Sequence, residues 1–140
     1  MNITYSESVP PIEDYINLIE STGWQGILTK GSNKLNESIM NSWYCVSAID
    51  NGETVGYGRI LSDGVLHAII CDLIVLPTYQ GKGIGSSILK QLLRKCHENE
   101  ILMIQLFAAK DKYNYYKRFG FEERPADAPG MRWMKNDNKK

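Results

Sequence analysis

The sequence predicts an α+β domain: a mixed, mostly antiparallel β-sheet flanked by helices. Three features point there. Two strand-like runs flank an Asn51-Gly52 turn, the short-range signature of a hairpin. A long apolar run over residues 65–75 stops at Pro77 and gives way to helical periodicity from 82 to 98. Another apolar run, 101–107, follows that helix, as a crossover connection requires.

In chain order, residues 2–5 form a short first strand. Pro11 opens a helix with Ile12, Tyr15, Ile16 and Ile19 on one face, ending near Gly23. Gly23-Trp24-Gln25-Gly26 reads as a loop carrying a large aromatic. A weaker helix follows Ser32, with Leu35, Ile39 and Met40 as its apolar positions. Strands at 43–49 and 54–61 make the hairpin, and Ser62-Asp63-Gly64 turns the chain into 65–75. That third run is apolar on both faces, which predicts a central strand covered on both sides. The 82–98 helix aligns Ile84, Ile88, Leu89, Leu92, Leu93 and Cys96 opposite Lys90, Gln91, Arg94 and Lys95. Past the 101–107 strand, Asp111 is placed to cap a short helix through Tyr113, Tyr116 and Phe119, with Gly120 as its left-handed stop. Residues 121–123 and 131–134 read as final strands around a loop at 125–130. No repeat or Pro/Gly-rich linker divides the chain, so 1–140 reads as one domain with a frayed polar tail at 136–140.

Composition removes several functions. A chain of 140 residues, 43% apolar, buries about two-thirds of its unfolded surface and needs no metal or disulfide staple. Sixteen basic against sixteen acidic residues give no net cationic field, which argues against nucleic acid as a partner. Cys45, Cys71 and Cys96 are odd in number and each lies in or beside an apolar run, as buried free thiols do. With only His67 and His97 to add, no metal-ligand spacing exists. No apolar run approaches 18 residues and residues 1–11 lack a signal-peptide pattern, so no membrane is implied and a reducing cytoplasm is expected.

The most informative stretch is Gln80-Gly81-Lys82-Gly83-Ile84-Gly85-Ser86, between the 65–75 run and the amphipathic helix. Alternate glycines remove the β-carbons that would hold a ligand off the backbone, and the amides that follow belong to a helix N-terminus. A phosphate or pyrophosphate suits that place. A Walker A loop is excluded: Leu76 stands where its first glycine belongs, and Gly83 where Ser or Thr must follow the lysine. A dinucleotide fingerprint is excluded as well, because Ser86 takes the place of its third glycine and hairpins precede the loop. The remaining alternative is a tight strand-to-helix turn whose glycines serve geometry alone.

The segment from Val75-x-Pro77-x-Tyr79 through Gln80-Gly81-Lys82-Gly83-Ile84-Gly85-Ser86 resembles the Gln/Arg-x-x-Gly-x-Gly/Ala signature of the GNAT superfamily of N-acetyltransferases. Downstream, Asn114-Tyr115-Tyr116-Lys117-Arg118-Phe119-Gly120-Phe121 resembles that family's Tyr-x-Lys-x-Gly-Phe segment. The resemblance covers nearly the whole chain and implies acetyl-CoA seated in a splay of the central strands. The backbone of Leu73, Ile74 and Val75 would pair with the pantetheine arm as an added strand. The amides from Gly81 to Ser86, through Gly83, Ile84 and Gly85, would hold the pyrophosphate, with Gln80 in the signature. Lys82 either adds charge or is an ordinary solvent-facing lysine. Tyr116 matches the tyrosine placed near the cofactor sulfur; without the resemblance, an aromatic stripe of Tyr113, Tyr116 and Phe119 reads as core. Ala109 stands where many members carry Asn, and Asn114 is closer to the Asn-x-Tyr-Lys-Arg form of polyamine-acetylating members. The resemblance also allows a homodimer.

Amine acetylation by a thioester poses two proton problems. Shedding the proton of an alkylamine with a pKa of about 10.4 costs on the order of 4–5 kcal/mol at neutral pH. Full transfer from a tyrosine (~10) to a thiolate (~8.5) is uphill by roughly 2 kcal/mol, so Tyr116 is expected to donate a hydrogen bond first. For the base, Asp72 is the only acid within 65–75; it either attracts or relays the ammonium proton, or bonds to a neighbouring strand or turn. Strand alternation points Asp72 away from Cys71 and Leu73 unless a bulge intervenes. His67 lies about 13 Å up the strand, so a water relay is the default base. Cys71 occupies a position that often holds Glu in polyamine-acetylating relatives. Arg59 reaches an acceptor pocket or is solvated, and Trp24 walls that pocket or packs. The expected activity is direct acetyl transfer from acetyl-CoA to a small-molecule amine in a ternary complex, without a covalent intermediate. A non-catalytic acyl-CoA sensor of the same fold is the alternative.

Overall fold

Among the described residues the chain builds five strands: β1 (Ile3–Ser6), β2 (Tyr44–Asp50), β3 (Glu53–Ser62), β4 (His67–Val75) and β5 (Met103–Leu106). The computed structural model describes residues 1–135, and the expected frayed tail at 136–140 lies outside the described residues. The strands follow one another across the sheet in chain order. The first three pairings are antiparallel, and the last, β4 with β5, is parallel. That parallel step is made by the long helix α4 (Ile84–Glu98). By internal contacts the chain forms two units, Met1–Phe107, which holds the whole sheet, and Ala108–Lys140.

Within the first unit, one face of the sheet is covered by α1 (Ile12–Thr22) and α3 (Ser32–Met40), joined through one helical turn, α2 (Gln25–Leu28). Glu13 and Asp14 lie in the first turn of α1, where the helix dipole favours carboxylates. Gly23 ends that helix at φ 79°. Tyr15, Leu18, Ile19, Leu35 and Ile39 pack against Cys45, Tyr57 and Ile74 from the sheet. Met40, expected on the apolar face of α3, is exposed instead.

The other face carries α4, which buries Ile84, Ile88, Leu89, Leu92 and Cys96 against β2, β3 and β4. Two glycines in β3 set how close it lies. A β-carbon on Gly58 would stand 2.9 Å from Ile88 Cγ2 and 3.0 Å from Leu92 Cδ1, and one on Gly56 would stand 3.1 Å from Ile84 and Ile88 methyls. The helix therefore rests on bare backbone.

The strand covered on both faces is β3, whose residues 54–60 are all buried, rather than the predicted 65–75 run. In β4 the outward Ile69 is 37% exposed, beside its partner Leu61 at 42%. Residues 65 and 66 precede that strand because the Asp63 carboxylate gathers the amides of Val65, Leu66 and His67 into a turn. Residues 121–123 and 131–134 form no strand, although both were expected to. Met131 and Trp133 stand 88% and 74% exposed, so their apolar pattern has no buried face to pack on. Among the described residues no helix is long and apolar enough to cross a membrane, and no cluster of metal-ligating side chains occurs.

Candidate functional site

The decisive local feature is where the β4–β5 ladder stops. Their parallel register runs from His67↔Met103 to Ile70↔Leu106, yet β4 continues to Val75 with β3 as its only strand partner among the described residues. Residues 71–75 thus present a strand edge with no β5 partner, and Leu73, Ile74 and Val75, predicted to hold an extended arm, lie on it. An open edge of this kind accepts an amide-bearing chain as an added strand.

A bulge coincides with the splay. Tyr57 pairs with Ile74 and Arg59 with Cys71, so Gly58 alone faces Asp72 and Leu73. Asp72 takes φ 57°, a left-handed conformation within a strand. This is the bulge that strand alternation left open. It turns the Asp72 carboxylate toward Arg59 and Tyr15, while the Leu73 side chain lies over Gly58.

Beyond β4 the chain makes a 3-10 turn, Pro77–Tyr79, held from two sides. The Tyr79 hydroxyl donates to Asp50 Oδ2 at 2.7 Å, and Gln80 Nε2 donates back to the Val75 carbonyl at 2.9 Å. The backbone then turns left-handed twice, at Gly81 (φ 76°) and Gly83 (φ 84°). A β-carbon at either would meet nothing within 4 Å, so these glycines answer to φ, and the space beside their backbone is open. Helix α4 starts at Ile84, with Gly85 in its first turn, and its first hydrogen bond runs from the Ser87 amide to the Gly83 carbonyl at 3.0 Å. The amides of Gly83, Ile84 and Gly85 precede that bond, at the positive end of a 15-residue helix. Lys82 is solvent-exposed between them, and Ser86 is half-buried. A helix N-terminus, whose dipole favours anions, at the tip of an open strand edge has the chemistry to receive a phosphate-bearing molecule with an extended amide arm.

The Asp72 carboxylate is engaged. Its Oδ2 accepts from Arg59 Nε at 2.7 Å and from the Tyr15 hydroxyl at 2.8 Å. Arg59, 9% exposed rather than solvated, also donates to the Ser38 carbonyl, the Ser38 hydroxyl and the Ser42 hydroxyl. Burial and the Asp72 charge push the Tyr15 hydroxyl well above the ordinary tyrosine range. Burial, then the Asp72 charge, pushes the Cys71 thiol up to about 11. Trp24 is 41% exposed ahead of α2, and His67 is exposed at the start of β4.

The second unit holds α5 (Tyr113–Lys117). Lys112, not Asp111, occupies its cap position, and Asp111 takes φ 64° with no side-chain cap bond formed at Lys112. Gly120 turns left-handed at φ 95° beyond it, as expected. Tyr116 is half-buried between Tyr115 and Phe121, edge-on to both at centroid distances of 5.3 and 6.0 Å. Burial, with a smaller contribution from Tyr115, raises its hydroxyl above the ordinary value. Asn114 is exposed. Lys117 bonds Glu123 at 2.8 Å.

The family model described as the acetyltransferase (GNAT) domain matches residues 19–132. The chain belongs to the GNAT family. An N-acetyltransferase named ycf52, uncharacterized, from Pyropia yezoensis is 33% identical to this GNAT chain over 120 residues, covering 83% of the chain and 67% of the relative. A histone acetyltransferase, TAP1, of Glycine max is 29% identical over 137 residues, covering 89% of the chain and 58% of that protein. Among solved structures, the GNAT-family acetyltransferase SP0256 of Streptococcus pneumoniae aligns with a TM-score of 0.75 at 30% identity, covering 96% of this chain and 98% of its own. SA2161 of Staphylococcus aureus, a protein of unknown function, aligns at 0.85 with 26% identity, covering 96% and 100%. The mixed sheet flanked by helices is the fold of these neighbours.

Of the predicted donor residues, Leu73, Ile74, Val75 and Gln80 to Ser86, Lys82 included, lie on one continuous strand-turn-helix path, while Asn114 lies in α5 of the second unit. The Tyr15–Asp72–Arg59 network was missed as a unit. Its only sequence signal was an acid and a buried-strand arginine 13 residues apart across a hairpin.

Proposed function

We propose that this GNAT acetyltransferase moves an acetyl group from acetyl-CoA to a primary amine of a small molecule, by direct attack in a ternary complex. The observation that carries this reading is the open edge of β4 at 71–75, running into two left-handed glycines at the start of α4. The pantetheine arm would bond that edge through Leu73, Ile74 and Val75, and the amides following Gly81 and Gly83 would hold the pyrophosphate. Gln80 braces the turn, and Asn114 and Lys82 are offered as further donor contacts.

Tyr116 is proposed to donate a hydrogen bond to the departing sulfur. Its raised pKa makes full proton release harder, which favours hydrogen-bond donation over early transfer. Proton removal from the ammonium is assigned to water, because the Asp72 carboxylate already serves Arg59 and Tyr15. Cys71, held as a thiol by burial, supports direct attack over an acyl-cysteine intermediate.

The test is thiol release from acetyl-CoA across a panel of polyamines, aminoglycosides and a lysine peptide. Turnover on a small amine above the peptide supports the reading, and peptide preference moves the acceptor to protein, as the TAP1 name has it for that relative. Tyr116→Phe is expected to lower turnover about 10²–10³-fold with acetyl-CoA affinity nearly intact; unchanged turnover removes Tyr116 from the chemistry. The engagement of Asp72 favours one rival, a non-catalytic acyl-CoA sensor. Binding of acetyl-CoA with no turnover on any amine would establish that rival.

A further inference from the structure

Among the described residues, four non-glycine residues take positive φ, and of these Asp72 alone lies inside a strand; Asn51, Glu100 and Asp111 lie outside helices and strands. A left-handed conformation is disfavoured for a residue with a β-carbon and persists only where its surroundings impose it. The surroundings here are explicit. Arg59 Nε and the Tyr15 hydroxyl both close on Asp72 Oδ2, from β3 and from α1. Three further donations fix the guanidinium to the end of α3 and the residues beyond it, at Ser38 and Ser42. Arg59 and Asp72 side chains are 11% and 9% exposed, and Tyr15 is 2% exposed. The charge pair is therefore shielded and geometrically fixed.

What the network grips matters for function. The bulge follows Cys71, one residue past Ile70 where the β4–β5 ladder ends, and puts Leu73 over Gly58 under Ile88 and Leu92 of α4. Beyond it, register is restored with Ile74 opposite Tyr57. Loss of the bulge would shift residues 72–73 by one step and turn the strand edge over. The donor edge and the turn that follows it would then face differently.

We infer that Arg59 and Tyr15 are positioning residues for acyl transfer, acting through Asp72 to hold the β4 bulge that opens the 71–75 edge to the donor. This rests on the proposed acetyl-CoA reading. It assigns Asp72 to orientation of the strand, where proton acceptance was the other role open to it. Replacing Arg59 removes the guanidinium that ties β3 and the end of α3 to the bulge. An Asn at 72 tolerates positive φ and keeps an acceptor oxygen for both partners, so it preserves the device without the charge.

The experiment compares Arg59→Met, Arg59→Lys, Tyr15→Phe, Asp72→Asn and Asp72→Ala with the wild type. It reads acetyl-CoA affinity by calorimetry, kcat and KM for amine and donor, and amide hydrogen exchange at 71–75. Arg59→Met is expected to weaken acetyl-CoA about tenfold, to lower kcat about 10–100-fold, and to speed exchange at 71–75. Tyr15→Phe, which leaves the ion pair in place and guards against a misfolded Arg59 variant, is expected to do the same about threefold. Asp72→Asn, which keeps the acceptor oxygen but leaves the Arg59 charge without its counter-ion, is expected to lower kcat about tenfold with an unchanged pH profile, and Asp72→Ala to lower it about 100-fold. Lowered melting temperature with unchanged kcat, donor affinity and exchange would make the network merely structural and overturn the inference. An inactive Asp72→Asn with a shifted pH profile would overturn it in favour of a general base. Wild-type protein that gives no heat with acetyl-CoA would remove the proposed function itself, an outcome distinct from both.

Discussion

Replacing Gly58 by alanine tests how the donor turn is held in place. The new methyl would meet Ile88 Cγ2 at 2.9 Å and Leu92 Cδ1 at 3.0 Å, where ordinary carbon contacts lie near 3.5–4.0 Å. Ile88 presents a β-branch methyl fixed to its helix backbone, so relief requires α4 itself to move off the sheet. Overpacking of this kind costs roughly 1–3 kcal/mol. At this chain length the melting temperature should fall by about 3–9 °C. Gly26 supplies the control. It lies in α2 with nothing within 4 Å of a built β-carbon and without left-handed φ. Gly26→Ala should therefore stabilise by about 0.4–1 kcal/mol through the unfolded chain. Thermal and urea unfolding of both variants beside the wild type is the assay. A Gly58→Ala protein as stable as wild type would refute the claim that bare β3 backbone sets the seat of α4.

Three further outcomes follow from the same packing. The Tyr57 hydroxyl is fully buried and closes no hydrogen bond of ordinary geometry, although Ser42 and Cys45 act on its ionisation. Tyr57→Phe should then be neutral or stabilising by up to about 1 kcal/mol in urea unfolding, and a larger loss would reveal a hidden partner. Burial pushes the Cys71 thiol up to about 11, so far less of it is thiolate at pH 7.5 than of an ordinary thiol; iodoacetamide should label Cys71 very slowly, and Cys71→Ala should keep most activity in the thiol-release assay. Burial also raises Tyr15 and Tyr57, and holds Tyr44 at about 12. Their folded pKa lies above the unfolded value of about 10, so the stability they lend is complete below pH ~10 and lost as pH rises beyond it. Urea midpoints should decline between pH 9.5 and 12, by less in Tyr15→Phe, and a flat profile would contradict this.

The order of elements was legible because each rests on local periodicity: the Asn51-Gly52 hairpin, the α4 stripe and the glycine turn all carry their signal within a few residues. The glycine turn of the proposed donor path carries a local signal of the same kind, since Gly81 and Gly83 are demanded by their own φ. What escaped was non-local. Alternation along β4 cannot show that Gly58 faces two residues, nor that an arginine on β3 and a tyrosine on α1 converge on Asp72. The apolar pattern at 131–134 misled because strand formation needs a partner edge as well as a sequence, and Met131 and Trp133 remain exposed. The double-faced apolar run was assigned to β4, whereas coverage by helices on both sides falls on β3, whose glycines look unlike a core strand.

The central claim is that the open β4 edge and the left-handed glycines receive an acyl-CoA. Isothermal titration of acetyl-CoA into the full chain, beside the Gly83→Val variant, tests it most directly. Saturable heat with stoichiometric uptake by the wild type, and its loss in the variant, is the predicted result. No heat at millimolar acetyl-CoA, or equal heat from both proteins, would contradict it.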